Sequence, residues 1–310
     1  MPERLKEEKG FDVLGDVLET LRFRGSIFFR SELAAPWGMS LSQEAFPRFH
    51  ISLFGTCFVG PAEEDAVEVR QSEIIMLPGG SAHWIADRPD RKLIPSTRAA
   101  EACELGNPLF QEGEITNRLI CGLVQFEQGS SHPILDALPE IVHFPRLKPD
   151  DPIWATTTLI DAEMQRMQGQ GGPIIDRLTE VLFLQLLNHH INENKEAAGF
   201  LAALRDRRVH HALSLIHAEP QFEWSLSSLG ERVGMSRATL VRHFQDAVGV
   251  APMKYIMNWR ILKAYNLIKY TSTPLEQVAD LVGFASARTL SRAFQRQYEC
   301  SPSELRRGGG

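Results

Sequence analysis

The chain has 310 residues, 43% of them hydrophobic and 23% charged, which is enough for two ordinary domains and excludes wholesale disorder. The net charge of −6 hides an asymmetry: residues 201–310 carry 15 Lys and Arg against 9 Asp and Glu, whereas residues 1–200 carry 18 against 30. A basic C-terminal third on an acidic body suits one domain that meets a polyanion and one that does not.

No apolar run reaches the roughly 18 residues that span a bilayer. The N-terminal MPERLKEEKG is not followed by the apolar stretch of a secretory signal. Cys57, Cys103, Cys121 and Cys300 show no CxxC spacing. The expectation is a cytoplasmic protein with reduced thiols and no membrane partner.

In chain order, FDVLGDVLETL (11–21) carries a helical stripe of apolar residues. From Ser26 to about Phe126 the texture changes to short runs such as SIFF, FHISLFGTCFV, EVRQSEIIML and RLICGLVQF, bounded by Gly, Pro and Asp. That pattern predicts many short strands, hence a sandwich or barrel. Residues 87–118 read as a long, charged surface loop. After Asp150 the chain turns helical. One helix is expected over Pro152–Met167, broken by GQGGP (169–173), and a second over Ile174–Ile191. The second is so apolar (VLFLQLL) that it must bury itself against the body or against another subunit. Beyond about Leu201 everything reads as short helices, with a boundary near NKEAAG (195–200).

Within this last third a short sequence occurs twice, fifty positions apart: SRATLVRHFQ (236–245) and SARTLSRAFQ (286–295). Each follows a short helix ending at Gly234 or Gly283, and each starts with a serine suited to cap a helix. Leu240 with Phe244, and Leu290 with Phe294, face inward. Arg237, Thr239, Val241 and Arg242 are then expected to point outward, as are Arg288, Ser291, Arg292 and Gln295. This is a tandem helix-turn-helix pattern on the basic part of the chain. PMKYIMNWRILKAYNLIKY (252–270) reads as a long helix holding the two units apart, so that both recognition helices reach successive major grooves about 10 bp apart.

Residues Trp224 to Arg307 resemble the DNA-binding domain of AraC/XylS-type transcriptional regulators. The residues that carry the resemblance are LGERVGMSRATLVRHFQDAVGVAPMKYIMNWRI and PLEQVADLVGFASARTLSRAFQRQYECSPSELR. It implies a seven-helix domain, a double-stranded operator, a homodimer, RNA polymerase as a partner and an effector domain upstream. Two positions depart from the family. Gly230 replaces the usual alanine, which should loosen its helix by roughly 1 kcal/mol. Glu299 stands where a glycine usually ends the second recognition helix, at a cost on the order of 1 kcal/mol if it is left-handed.

A second resemblance lies in SEIIMLPGGSAHWIAD (72–87). Pro78, Gly80 and His83 match the P-x-G-x-x-H spacing of a cupin motif, with Ser72 and Asp87 at its flanking Gly and Asn positions. Residues 11–145 thus resemble the cupin-like sensor barrel found before AraC-type domains. Cupin enzymes hold a metal with three histidines and a glutamate. Here the first motif supplies only His50, with Ser52 where a second histidine would stand. His50, His83 and Cys121, from different strands, would suit Zn2+ with a fourth position taken by water or another side chain, Cys57 and Cys103 among the candidates. A packed, degenerate pocket without metal is the alternative, and Cys121 as a redox-sensing thiol a third.

The expectation is an α+β chain: a cupin-like β-barrel sensor over 1–150, a helical connector over 151–200 that dimerises, and an all-α double helix-turn-helix domain over 201–310. Its function is that of a non-enzymatic transcriptional regulator responding to a small molecule, metal or redox signal. The rival is a metal-dependent cupin enzyme fused to a DNA-binding domain.

Overall fold

A computed structural model describes residues 11–61, 66–105, 107–126, 133–145, 147–167, 171–193 and 199–308. The strand-rich part contains β1 (Phe23–Ala34), β2 (Gly38–Leu41), β3 (Arg48–Phe54), β4 (Cys57–Pro61), β5 (Val67–Val69), β6 (Glu73–Leu77), β7 (His83–Ala86), β8 (Ile94–Pro95), β9 (Ile115–Phe126) and β10 (Val142–Phe144). They form two five-stranded sheets, ordered β1-β9-β3-β6-β10 and β5-β4-β7-β2-β8. Alternate residues of the strands point inward, as the pleat requires. Leu33, Ile75 and Leu119 from the first sheet and Met39, Val59 and Ile85 from the second meet in one core, so the sheets close face to face.

The register in the first sheet is fixed by one close approach. Phe49 of β3 lies opposite Gly122 of β9, and a Cβ at 122 would come 2.2 Å from the Phe49 ring. Phe49 is fully buried. Gly122→Ala is therefore expected to cost about 1–3 kcal/mol through overpacking, read as a lower urea midpoint. An unchanged midpoint would show that the ring has room to move.

The segment expected as a loop, 87–118, is not all loop. It contains β8 and a helix, α2 (Ser96–Glu104). Ala99 on that helix is buried in the barrel core. The helix escapes detection because its buried face is narrow and its other residues are polar, so no apolar stripe marks it.

The two connector helices form nearly as expected, α4 over Pro152–Arg166 and α5 over Pro173–Glu193. The break assigned to GQGGP falls partly at 169–170, outside the described residues. Helix α5 packs on β1 and β9, burying Ile175, Leu182, Phe183, Leu186 and Leu187. The barrel of the same chain thus covers the face that sequence reasoning left between barrel and partner.

The remaining helices are α1 (Val13–Thr20), α3 (Pro133–Asp136), α6 (Phe200–Ala203), α7 (Arg207–Ala218), α8 (Leu226–Val233), α9 (Arg237–Val248), α10 (Pro252–Tyr270), α11 (Leu275–Val282), α12 (Ala287–Tyr298) and α13 (Pro302–Gly308). The chain divides into two compact units. One holds all ten strands with α2, α4 and α5, and the other holds α1, α3 and α6 to α13. This corrects the division at 150 and 200 in two ways. The connector helices belong with the barrel, and α1 belongs with the C-terminal helices. The second correction has a clear cause. The Asp16 carboxylate receives hydrogen bonds from His217 Nδ1 and Lys263 Nζ, both at 2.8 Å. Asn266 donates to the Thr20 carbonyl at 2.8 Å, and Val13 and Val17 are buried. The boundary expected at 195–200 lies mostly outside the described residues. Among the described residues, no helix is long and apolar enough to cross a membrane.

Candidate functional site

The two repeats become two helix-turn-helix units, α8–α9 and α11–α12, joined by α10 at the predicted bounds. Gly234 and Gly283 end the first helix of each unit in the left-handed region, at φ 68° and 85°. Ser236 and Ser286 then cap the second helices, accepting from the backbone N–H of Thr239 at 3.2 Å and of Thr289 at 3.3 Å. Leu240, Phe244, Leu290 and Phe294 are fully buried. Glu299 adopts the left-handed φ of 58° that its position demands. Gly230 does more than loosen its helix: a Cβ there would sit 2.7 Å from the Met235 carbonyl oxygen. An alanine would need the turn to shift.

The periodicity of a helix puts Ala238, Val241, Arg242 and Gln245 on one face of α9. The equivalent face of α12 carries Arg288, Ser291, Arg292 and Gln295. Arg242, Gln245, Arg288, Arg292 and Gln295 are exposed, while Val241 and Ser291 are half-buried. The Arg242, Arg288 and Arg292 side chains make no hydrogen bond or ion pair among the described residues. Two expected residues sit differently. Thr239 is half-buried, and its hydroxyl lies 2.9 Å from Ser236 Oγ, so it belongs to the cap. Arg237 donates from Nε and Nη2 to Ser227 Oγ, at 3.0 and 2.6 Å. Gln245 was missed, although the fifty-residue repeat places it opposite Gln295. An open groove runs along α9, lined by Arg237, Ala238, Val241, Arg242, Gln245 and Asp246.

In the barrel, Gly80 of the cupin motif has φ 64°, and a Cβ there would press on the carbonyl oxygens of Phe46 and Glu44. Ser72, at the motif's first flanking position, also takes a positive φ of 66°. Asp87 at the other flank pairs with Arg91 at 2.5 and 2.7 Å. Ser52 is buried and donates to the Gly55 carbonyl at 2.9 Å, so it ties a turn rather than facing a ligand.

His50, His83 and Cys121 do come together. His50 and Cys121 are direct cross-strand partners of β3 and β9. His50 Nδ1 lies 2.9 Å from Cys121 Sγ, and His50 Nε2 lies 2.8 Å from His83 Nε2. His83 Nδ1 lies 2.7 Å from the Ser81 carbonyl oxygen. A carbonyl can only accept, so His83 Nδ1 donates. Burial lowers His83 to about 4 and holds His50 well below its ordinary value, so both rings are neutral. The protons are then fixed in series: Cys121 S–H donates to His50 Nδ1, His50 Nε2–H to His83 Nε2, and His83 Nδ1–H to Ser81. Burial pushes the Cys121 thiol up, away from the reactive thiolate.

The three residues form a string and not a tripod. His50 meets its two partners through opposite ring nitrogens, so this arrangement does not offer one ion all three donors. Among the described residues, no group of three His, Cys, Asp or Glu is placed to hold a metal. The Cys103 side chain lies outside the described residues, while Cys57 is buried and held as a thiol, pushed up to about 12 by burial.

Beside this string lies a cavity of about 160 Å³, walled by Phe28, Phe29, Met39, Leu41, Ile85 and Leu123. Arg48, Ser96 and Thr97 also line it.

A paired helix-turn-helix unit in the same chain as a small closed barrel defines a DNA-binding regulator with a sensor-type domain. Comparison with known proteins agrees. Residues 12–192 match the family described as Cupin, and residues 229–308 match a helix-turn-helix domain. The chain is 27% identical over 306 residues to the HTH-type transcriptional regulator AlkR of Acinetobacter baylyi, covering 95% of this chain and 99% of that one. It is 25% identical to the HTH-type transcriptional regulator MtrA of Neisseria gonorrhoeae, covering 96% and 99%. Among solved structures, it is similar to the DNA-binding domain of AdpA in complex with a target DNA. The identity there is 27%, over 32% of this chain and 89% of that one, with a TM-score of 0.31. The chain belongs to the AraC-type transcriptional regulators with an N-terminal cupin domain.

Proposed function

We propose that the chain reads a bipartite operator with α9 and α12, and that a small molecule held in the barrel cavity sets its affinity for that operator. The observation that carries the DNA half is the pair of equivalent faces, Ala238/Val241/Arg242/Gln245 and Arg288/Ser291/Arg292/Gln295, each with partner-free arginine. Base edges in the major groove are read by such side chains. The protein acts in the cytoplasm as a homodimer and contacts RNA polymerase at its promoters. The homodimer is supported by Leu159 of α4 with Ile174 and Val181 of α5, apolar side chains that remain exposed on the connector helices. The test is selection of binding sites from a random duplex library with the full chain. Two short conserved blocks about 10 bp apart are expected. A single block, or no enrichment, would count against reading by both helices.

The chain carries no catalytic role in this reading. The Cys121–His50–His83 string favours a hydrogen-bonded wall over a zinc centre or a redox thiol, because its donors are already committed to one another. Protein purified without chelators or a metal-affinity column is expected to hold well under about 0.2 zinc per chain, since real structural sites bind far too tightly to be lost. Near-stoichiometric zinc by elemental analysis would restore the metal reading.

A further inference from the structure

Arg48 is the only charged residue among those that line the barrel cavity. It is about nine-tenths buried. Its Nη1 donates to the Ser42 carbonyl at 2.8 Å. Its one acidic neighbour, Glu44, lies 3.5 Å from Nη2 and is half-exposed. Its Nε has no hydrogen-bond partner and no contact with solvent. A buried guanidinium with an idle donor is costly unless something satisfies it.

A second feature of the same cavity also favours negative charge. Ser96 and Thr97 begin α2, a nine-residue helix with no acidic residue in its first turn. The first N–H groups of a helix have no partners within it, and the helix dipole is positive at that end. Arg48 and the start of α2 therefore border one small space that holds no carboxylate of its own. His50, on the same wall, is neutral and committed to its string.

We propose that the cavity binds a small monocarboxylic acid with a compact apolar body, its carboxylate received by Arg48 and the first turn of α2. This rests on the reading of the cavity as the effector site and names the chemistry of the effector. The apolar walls, Phe28, Phe29, Met39, Leu41, Ile85 and Leu123, take the body of the acid. The volume of about 160 Å³ matches cavities that admit one benzene-sized group. A guanidinium pairs with a planar carboxylate through two parallel hydrogen bonds. A doubly charged phosphate would find too few donors here and too much apolar wall.

Calorimetric titration of the full chain near neutral pH tests this with two matched probes, cyclohexanecarboxylate and cyclohexylmethanol. The two share one body and differ in the charged group. The acid is expected to bind at least about tenfold more tightly than the alcohol, as a charge-assisted pair implies. Arg48→Met should abolish that preference and Arg48→Lys should retain part of it. Arg48 is buried, so a variant outside the core provides a second reading. Ser96→Asp places an acid where a helix start tolerates it. It should fold normally, weaken the carboxylate by about tenfold or more, and leave the alcohol unchanged. Equal binding of acid and alcohol, or a carboxylate affinity indifferent to both Arg48→Met and Ser96→Asp, overturns the carboxylate and leaves the cavity as a ligand site. Binding of neither probe overturns both.

Discussion

Alanine at both Arg242 and Arg292 is expected to lower affinity for the selected operator by at least about 30-fold, because each lost base contact costs about 1–3 kcal/mol and contacts far apart add. The two residues stand at equivalent places in α9 and α12, exposed and without a partner in the chain. Each single variant should relax sequence preference in one half of the operator only. Mobility shifts at two salt concentrations separate the possible roles. A base-reading arginine leaves the salt slope nearly unchanged, whereas loss of a phosphate contact weakens all sequences alike and reduces the slope by about one. Arg237 should behave in the second way or have little effect, since Ser227 already holds its guanidinium. If both single variants bind as tightly as the parent, α9 and α12 are not the reading helices.

The DNA-binding half was legible in the sequence because its determinants are local. Helix α10 has the predicted bounds, Gly234 and Gly283 end their helices, and Ser236 and Ser286 cap the next ones. Each of these depends on residues within one turn. Thr239 was misread because outward periodicity and capping compete for the same short side chain, and only the structure shows the bond to Ser236. Long-range features were harder to read. The stripe of α1 predicted a helix, but nothing in it says that Asp16 pairs with His217, 201 positions away. The convergence of His50, His83 and Cys121 was legible from the strand pattern. Its chemistry was not, because the sequence does not show which ring nitrogen meets which partner. Arg48 was overlooked for a similar reason: a lone arginine at the start of a strand looks solvent-facing until its burial is seen.

Acid should destabilise this protein well before ordinary carboxylates protonate. His83 is buried against His50 and Arg48, with no acid in contact, and burial lowers it to about 4 from its ordinary 6.5. The folded state therefore keeps His83 neutral while the unfolded chain takes up a proton below pH 6.5. The unfolded state binds more protons in that window, so stability rises with pH and is lost as pH falls from 6.5 toward 4. From this group alone the loss is about 2 kcal/mol at pH near 5 and about 3 kcal/mol near 4. His50 is lowered for the same reason, burial first and then His83 and Arg48, and adds loss of the same sign. The helical unit responds in the same direction. Burial depresses His217 more than Asp16 raises it, with Lys263 opposing its charge, and Tyr255 lies on its other side. Burial acts to raise Asp16, but the hydrogen bonds from His217 and Lys263 help to hold it below its ordinary value, so its contribution is lost only at still lower pH. Urea unfolding followed by fluorescence, at several values between about pH 7.5 and 5, should show the midpoint falling steadily below about 6.5. His83→Gln removes one titrating ring and should flatten that fall while lowering stability at neutral pH. A midpoint that stays level or rises as the solution is acidified would mean that the buried rings carry charge in the folded protein, and the proton string from Cys121 to Ser81 would then be wrongly assigned.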